Sequence, residues 1–489
     1  MNYFLENLFP EVRDALAYQP TTASFIDFIA ASYGHDIALS EPDREVRYDE
    51  LPDEVAYRRG LIAEHDIHPG CNIGLLSGNS IDAVLWFLAI TSYGCTAVML
   101  PASLQPDVLA GALVHYEIRL LIHEDITRAG SVPETVPYLP VAGKSDRQAP
   151  AADLVREDRA AIFMTGGTTG KPKGVILSHG ALMRGSLNGA YRRGTVYGQS
   201  MVAALPFTHV FGIVYGLLSG LYAGAHIGVC SNMKYLFREM RRVNPTTMIA
   251  VPGLADMMLS MVKSQGTGIL GSRLNLIICG AAPVPERLYH SFRSYGIDVL
   301  AGYGLTETAN LVSGNLDMHL HPDSVGKQYP EQILRIVDGE LQLKGDMLFD
   351  GYWKDEAATQ NAFTPDGWFR TGDLARLDDE GFIYITGRLK NLIILDNGEN
   401  VSPEEVENCY YRSSLVKDCL VSETEIEGRP AIMLEVLPVP GTEDKDILSE
   451  IASLTAMLPP AMRPAKTVIR NTEFAKSASM KIIRDKEQS

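Results

Sequence analysis

Residues 164–174 read MTGGTTGKPKG. An apolar run, AAIFMT at 160–165, leads straight into this loop of four glycines and three threonines. A strand that ends in such a loop presents a row of backbone N–H groups and hydroxyls, which can cradle a polyphosphate, and Lys171 or Lys173 adds positive charge. It is not a Walker loop. That pattern needs Gly, four residues, then Gly-Lys-Ser/Thr. Here Pro172 follows Gly170-Lys171, and the residue five before Gly170 is Thr165. Standing alone, a Gly-rich loop reads as a flexible surface turn; its neighbours decide otherwise.

Outward from the loop the chain alternates. Strand-like runs are MVAALP (201–206), AHIGVC (225–230), TTMIAVP (246–252), LNLIICG (274–280) and IDVLAGYG (297–304). Helix-like segments lie between them, among them 233–243 and 284–295. Apolar strands alternating with amphipathic helices predict a doubly wound, mostly parallel α/β sheet covered on both faces. Residues 60–125 repeat the pattern less clearly, and the Pro- and Ala-rich stretch 129–152 reads as a connecting loop. After residue 330 short strands and turns take over. ARLDDEGFIYITGR predicts a hairpin turning at 378–381. LIILDNGENVSPEEVE predicts a strand, an Asn397-Gly398 turn and a helix capped by Ser402, with Pro403 first and Glu405 completing a capping box. The expected division is a large domain over 1–388 and a small, mobile α+β domain over 389–489, with a hinge near 388–391.

Composition narrows the class. The chain has 489 residues, 46% of them hydrophobic, enough for two or more domains. A net charge of −17 with no dense basic run argues against nucleic acid or an anionic membrane as the main partner. Six scattered cysteines, with no Cys-x-x-Cys pair, fit a reduced, cytosolic compartment. The first twenty residues lack a signal-peptide layout. No Asp, Glu, Lys or Arg occurs from 206 to 230, a run long enough to span a bilayer. Its five glycines and two histidines, set between charged segments, predict a buried helix and a buried strand instead.

Six segments in order resemble the adenylate-forming superfamily of acyl-CoA synthetases, amino-acid adenylation domains and luciferases. These are MTGGTTGKPKG, LPFTHVFG (205–212), GAAP (280–283), GYGLTET (302–308), GWFRTGDLARLDDEGFIYITGRLKNLI (367–393) and KSASMKIIR (476–484). The resemblance covers nearly the whole chain. It implies activation of a carboxylic acid with ATP and Mg2+ to acyl-AMP, release of pyrophosphate, and transfer of the acyl group to a thiol. Joining an anionic carboxylate to an anionic phosphate needs charge neutralisation and positioning more than a protein nucleophile.

The residues that match are assigned accordingly. Thr165, Gly166, Gly167, Thr168, Thr169, Gly170 and Lys173 resemble the phosphate loop. Glu307 is the candidate magnesium ligand, since that ion takes one or two carboxylates plus phosphate oxygens, and Thr306 a phosphate contact. Gly280, Ala281 and Ala282, with Gly302, Tyr303 and Gly304, resemble the turns around the adenine. Asp373 would accept both ribose hydroxyls, one on each oxygen. Arg388 would reach the ribose or phosphate, and Lys390 matches the hinge. Lys481 resembles the adenylation lysine. Met480 stands where glycine is usual, Ala475 where proline is, Gly166 where serine is frequent, and Ala301 where a polar residue is common.

His209 matches the gating position of the acid pocket. Amino-acid adenylation domains carry an Asp just after it, to hold the α-ammonium. Here Val210 stands there, and a buried ammonium without a counter-ion is costly, so an α-amino acid is excluded. Phe211, Tyr215, Ala281, Ala309 and Asn310 suggest an apolar or aromatic acid. The acceptor is coenzyme A by default, or the phosphopantetheine of a separate acyl carrier protein; the resemblance does not separate them. The compact stretch 307–373 disfavours the insertion of fatty acyl-AMP ligases. An oxidative, luciferase-like enzyme and a silent binding protein on the same fold are the competing classes.

Overall fold

The computed structural model describes residues 3–7, 16–124, 136–165, 173–192, 199–396, 398–426, 428–476 and 482–484. Two large sheets organise it. The first has nine strands, in the order Lys327–Gln328, Ser313–Asn315, Asp298–Tyr303, Leu276–Cys279, Thr247–Ala250, Ser200–Ala203, His226–Val229, Ile37–Glu41 and Arg44–Arg47. It is parallel from Asp298–Tyr303 to Ile37–Glu41 and antiparallel at both edges. The second has seven strands: Gly351–Tyr352, Lys173–Ser178, Arg159–Thr165, Thr96–Leu100, Asn72–Leu76, Ile118–His123 and Tyr138–Pro140. Its last five strands are parallel and its first two pairings antiparallel. The mostly parallel expectation holds for both.

The physical cause is continuous apolarity. Strands such as Asn72–Leu76, Thr96–Leu100 and Leu276–Cys279 are buried at every position, so helices must cover both faces. Helix Ile81–Ser92 is buried almost all round, and its side chains share one core with strands of both sheets. Ser80 and Ser178 cap the helices that follow them, accepting from Ala83 N–H and Ala181 N–H. The segment 129–152 is more than a connection, because Tyr138–Pro140 adds an edge strand beside Ile118–His123.

The uncharged run folds as expected but with a wide, π-type helix at Phe211–Leu218, continued by Ser219–Tyr222 and then strand His226–Val229. Ser219 Oγ donates to Val214 O at 2.8 Å, spanning five residues. Gly212 lets this helix start against the preceding loop, since a Cβ there would lie 2.1 Å from Pro206 O. Among the described residues, no helix is long and apolar enough to cross a membrane. All six cysteines are unbridged.

A four-stranded antiparallel sheet follows, ordered Gln332–Val337, Glu340–Gly345, Phe369–Leu377 and Ile383–Arg388. The last two strands are the expected hairpin. The chain then forms a smaller α+β domain. It has an Ile393–Ile394/Asn400–Val401 pair, helices Pro403–Tyr410 and Asp444–Met457, and a three-stranded sheet of Val416–Ile426, Arg429–Pro438 and Lys466–Ile469. Ser402 caps Pro403–Tyr410 by accepting from Glu405 N–H, but the reciprocal arm of the predicted capping box is not formed. The Ser402 hydroxyl instead donates to Thr386 O at 2.6 Å, tying the cap to the preceding strand. Asn397, predicted in the turn, lies outside the described residues.

His179 opens helix His179–Ala190 fully buried, with Nδ1 accepting from Thr22 N–H at 3.2 Å. Its Nε2 has no hydrogen-bond partner. Burial pulls its pKa from 6.5 down to about 4, and a helix N-terminus disfavours the cation further. A depressed pKa means that the unfolded chain takes the proton first as pH falls. The stability contribution is therefore present above pH 6.5 and is lost towards pH 4. Urea unfolding of wild type and His179→Gln at pH 7 and pH 5 should show the wild type losing roughly 2 kcal/mol more than the variant. Equal losses would show that the His179 proton is not coupled to folding.

Candidate active site

The site forms where the C-terminal ends of strands from the two large sheets meet the four-stranded sheet. Strand Arg159–Thr165 returns as Lys173–Ser178, pairing Thr165 with Lys173. Both residues are half-buried, and Thr165 Oγ1 donates to Lys173 O at 3.3 Å. This stem carries the glycine-rich loop. Gly166, Gly167, Thr168, Thr169 and Gly170 themselves lie outside the described residues.

Strand Gly351–Tyr352 pairs with Lys173–Ser178 and places Tyr352 beside the stem. Lys173 Nζ stands 4.6 Å from the centroid of the Tyr352 ring. The Tyr352 hydroxyl donates to Glu307 Oε1 at 2.8 Å. Burial, and then the Glu307 charge, push the Tyr352 phenol well up, so it stays protonated and remains a donor. Glu307 sits in the short turn Thr306–Thr308, whose backbone is tied back by Phe349 N–H to Glu307 O at 2.9 Å. Tyr352 was not legible in the sequence, because DGYW has no spacing that points to Glu307, 45 positions away.

Asp373 is 2% exposed and lies directly opposite Arg388 across the hairpin. Arg388 Nε is 2.7 Å from Asp373 Oδ1, and the Tyr303 hydroxyl donates to Oδ2 at 2.5 Å. Thr371 Oγ1 accepts from Asp373 N–H at 3.0 Å. An ionised carboxylate is an acceptor only, with about four lone-pair sites on its two oxygens. Burial, and then Asp373, raise the Tyr303 phenol far above its usual value. Burial opposes charge on Arg388, but Asp373 and Tyr303 outweigh it and raise its pKa. Lys390 is exposed, in the single turn Leu389–Asn391 that leaves the hairpin.

Contacts between backbones draw the remaining segments together. A Cβ at Gly280 would lie 2.9 Å from the Phe211 ring, and one at Gly304 would lie 1.3 Å from Asn310 O. Gly302 faces Ser313 O at 3.3 Å in the same sense. Ala281, Ala282, His209 and Phe211 are half-buried around this junction, whereas Val210, Tyr215 and Ala309 belong to the core. Ala281, Ala309 and Asn310 all have positive φ, at 69°, 45° and 85°. Non-glycine residues held there carry of order 1–3 kcal/mol of strain each, and such strain clusters at functional sites.

Behind Tyr215 lies a polar floor that the sequence did not announce. Arg192 is 1% exposed, beside the buried phenols of Tyr215 and Tyr329, and burial pulls its pKa down. Lys481 lies outside the described residues. On either side of it Lys476 bridges Ile482, Lys476 Nζ meets Asp418 at 2.8 Å, and Arg484 is bonded to Glu407 and to Val421 O.

Known proteins are similar to this chain in sequence and in shape. A long-chain-fatty-acid–CoA ligase of Mycobacterium tuberculosis is 29% identical over 354 residues, 61% of this chain. The chain spans only 59% of that relative's length. A 2-succinylbenzoate–CoA ligase of Bacillus cereus is 28% identical over 76% of this chain and 78% of its own. Among solved structures, the anthranilate CoA ligase AuaEII in complex with anthranoyl-AMP superposes with a TM-score of 0.85 at 22% identity, over 96% of this chain and 97% of that one. The o-succinylbenzoate CoA synthetase of Bacillus subtilis, in complex with ATP and magnesium, gives 0.82 at 24% identity over 95% and 99%. At these identities the structural likenesses establish the fold. The family model for AMP-binding enzymes matches residues 27–353, and the chain belongs to that family.

Proposed function

We propose that the protein is an ATP-dependent acid–thiol ligase that forms an acyl-adenylate and transfers the acyl group to coenzyme A. The observation that carries this reading is the convergence of two linked sets on one junction: Lys173–Tyr352–Glu307 and Tyr303–Asp373–Arg388. One set joins a cation and a carboxylate beside the stem of a glycine-rich loop. The other holds a buried carboxylate between a tyrosine hydroxyl and a guanidinium. Polyphosphate with a divalent cation suits the first, and a ribose diol the second.

In this reading residues 166–170, with Thr165 and Lys173, hold the β- and γ-phosphates. Thr306 contacts phosphate, and Glu307 supplies a carboxylate oxygen to Mg2+. The substrate carboxylate attacks the α-phosphorus, the bond to the bridging oxygen breaks, and pyrophosphate leaves. Lys481 lies between the two anions and lowers their repulsion. A thiol then attacks the acyl carbonyl and AMP leaves. Residues 1–388 and 389–489 form the two moving parts, with Lys390 absorbing the change in dihedral angles between half-reactions. The CoA-ligase names of the relatives support coenzyme A as acceptor and a small carboxylic acid as substrate.

Pyrophosphate release from ATP and Mg2+ over a panel of carboxylic acids, with and without coenzyme A, tests the reading. Release with one acid class plus an acyl-CoA product is expected. Adenylate without transfer to coenzyme A would make a carrier protein the acceptor, and no release with any acid would leave only nucleotide binding. Lys481→Ala should lower adenylation by about 100-fold or more while transfer from supplied acyl-adenylate persists; unchanged adenylation would remove Lys481 from the mechanism. Tyr352→Phe keeps the ring beneath Lys173 and removes the bond to Glu307. It should raise the KM for ATP–Mg2+ by about tenfold at an unchanged melting temperature. An unchanged KM would place Tyr352 outside the binding machinery.

A further inference from the structure

Two buried asparagines near the Ala309–Asn310 turn have amide atoms without partners. Asn188 is fully buried on helix His179–Ala190, and neither its Oδ1 nor its Nδ2 has a hydrogen-bond partner. Asn310 is 9% exposed, and its Nδ2 has none either. The two flank one contact. Gly185 abuts the following loop so closely that a Cβ there would lie 2.3 Å from Ala309 O. Asn188 is one helical turn beyond Gly185, on the same side, and Asn310 is the residue after Ala309. Gly189, the neighbour of Asn188, abuts Tyr215 and Ser219, with an added Cβ 2.8 Å and 2.1 Å from them. Asn188 and Asn310 thus both lie next to the contacts that join helix His179–Ala190 to the π-type helix and to the strained Ala309–Asn310 turn.

Buried amide groups are nearly always bonded, and an unmet pair in a low-dielectric wall is costly. Asn188 is short of both a donor and an acceptor, a statement that holds whichever way its amide is turned. A hydroxyl both donates and accepts, which matches an amide short of an acceptor and a donor. Resting on the ligase reading above, we infer that the acid this enzyme activates carries a hydroxyl group besides its reacting carboxylate, received by the amides of Asn188 and Asn310. The apolar or aromatic acid expected from Phe211, Tyr215, Ala281, Ala309 and Asn310 thereby gains one polar point. A site built to bond a hydroxyl discriminates strongly against the analogue without it, because its own groups are then left unpaired.

The test compares aromatic and aliphatic acids in matched pairs, hydroxyl against methyl, at successive positions along the frame, reading kcat/KM for pyrophosphate release. At one position the hydroxyl acid should lead by tenfold or more. In Asn188→Leu and Asn310→Leu that lead should shrink to about twofold or less, with ATP–Mg2+ binding retained. The melting temperature of both variants should hold or rise, since an unpaired amide is exchanged for an apolar group of similar size. That combination separates recognition from a structural role, which would lower the melting temperature and treat both acids alike. Methyl acids equal to or better than their hydroxyl partners at every position would overturn the inference while leaving the ligase reading intact. Release with no acid at all would overturn the ligase reading and this inference with it.

Discussion

The carboxylate of Asp373 is the constraint on which the site depends. It is buried, and a buried charge persists only where it is paired and hydrogen-bonded. Its two partners come from different sheets. Arg388 stands across the hairpin of the four-stranded sheet, while Tyr303 ends a parallel strand of the nine-stranded sheet. One group therefore fixes the hairpin register and the distance between two sheets. The register shift between Leu374 and Ala375 lies immediately beyond it, so the twist it introduces leaves the Asp373–Arg388 pair undisturbed. From Tyr303 the chain needs only three more residues to reach Thr306 and Glu307, which places the second linked set at a fixed offset from the first.

Much of this was legible because it is local. The parallel strands are uninterrupted apolar runs, and the hairpin has its polar turn where 378–381 read as one. Glu307, Asp373 and Arg388 lie in short segments whose order along the chain matches a known family. What was not legible is what tertiary proximity decides. Tyr352 meets Glu307 only because its strand crosses to the edge of the seven-stranded sheet. Tyr138–Pro140 is a strand only because an edge was open beside Ile118–His123. The Ser402 hydroxyl also donates to Thr386 O, on a strand the local pattern does not see. The π-type turn at Phe211–Leu218 likewise follows from close backbone approach at Gly212, not from the periodicity of the run.

Charge works at two scales. The whole chain carries −17, which repels polyanions at long range. Within the site the balance is local: Lys173 stands over the Tyr352 ring and Arg388 against the Asp373 carboxylate. A small anion entering the junction meets paired cations rather than the mean field of the surface. This arrangement suits a nucleotide better than a nucleic acid, whose phosphates would extend beyond the junction over acidic surface.

Three residues with positive φ, Ala281, Ala309 and Asn310, lie around this junction. Ala281 lies on one wall of the junction, and Ala309 with Asn310 on another. Nothing local favours that conformation at an alanine, so the surroundings must impose it. Close backbone approach accompanies it at Ala309 and Asn310: a Cβ at Gly185 would lie 2.3 Å from Ala309 O and one at Gly304 1.3 Å from Asn310 O, so only glycine fits at either place. The Asn310 amide nitrogen and both amide atoms of Asn188 have no hydrogen-bond partner. A fold that only needed to close this loop could have placed glycine at 309 and an apolar residue at 310, removing both the strain and the unmet amide. At Asn310 the positive φ and the unpartnered amide nitrogen fall on the same residue, one position after the carbonyl that Gly185 approaches.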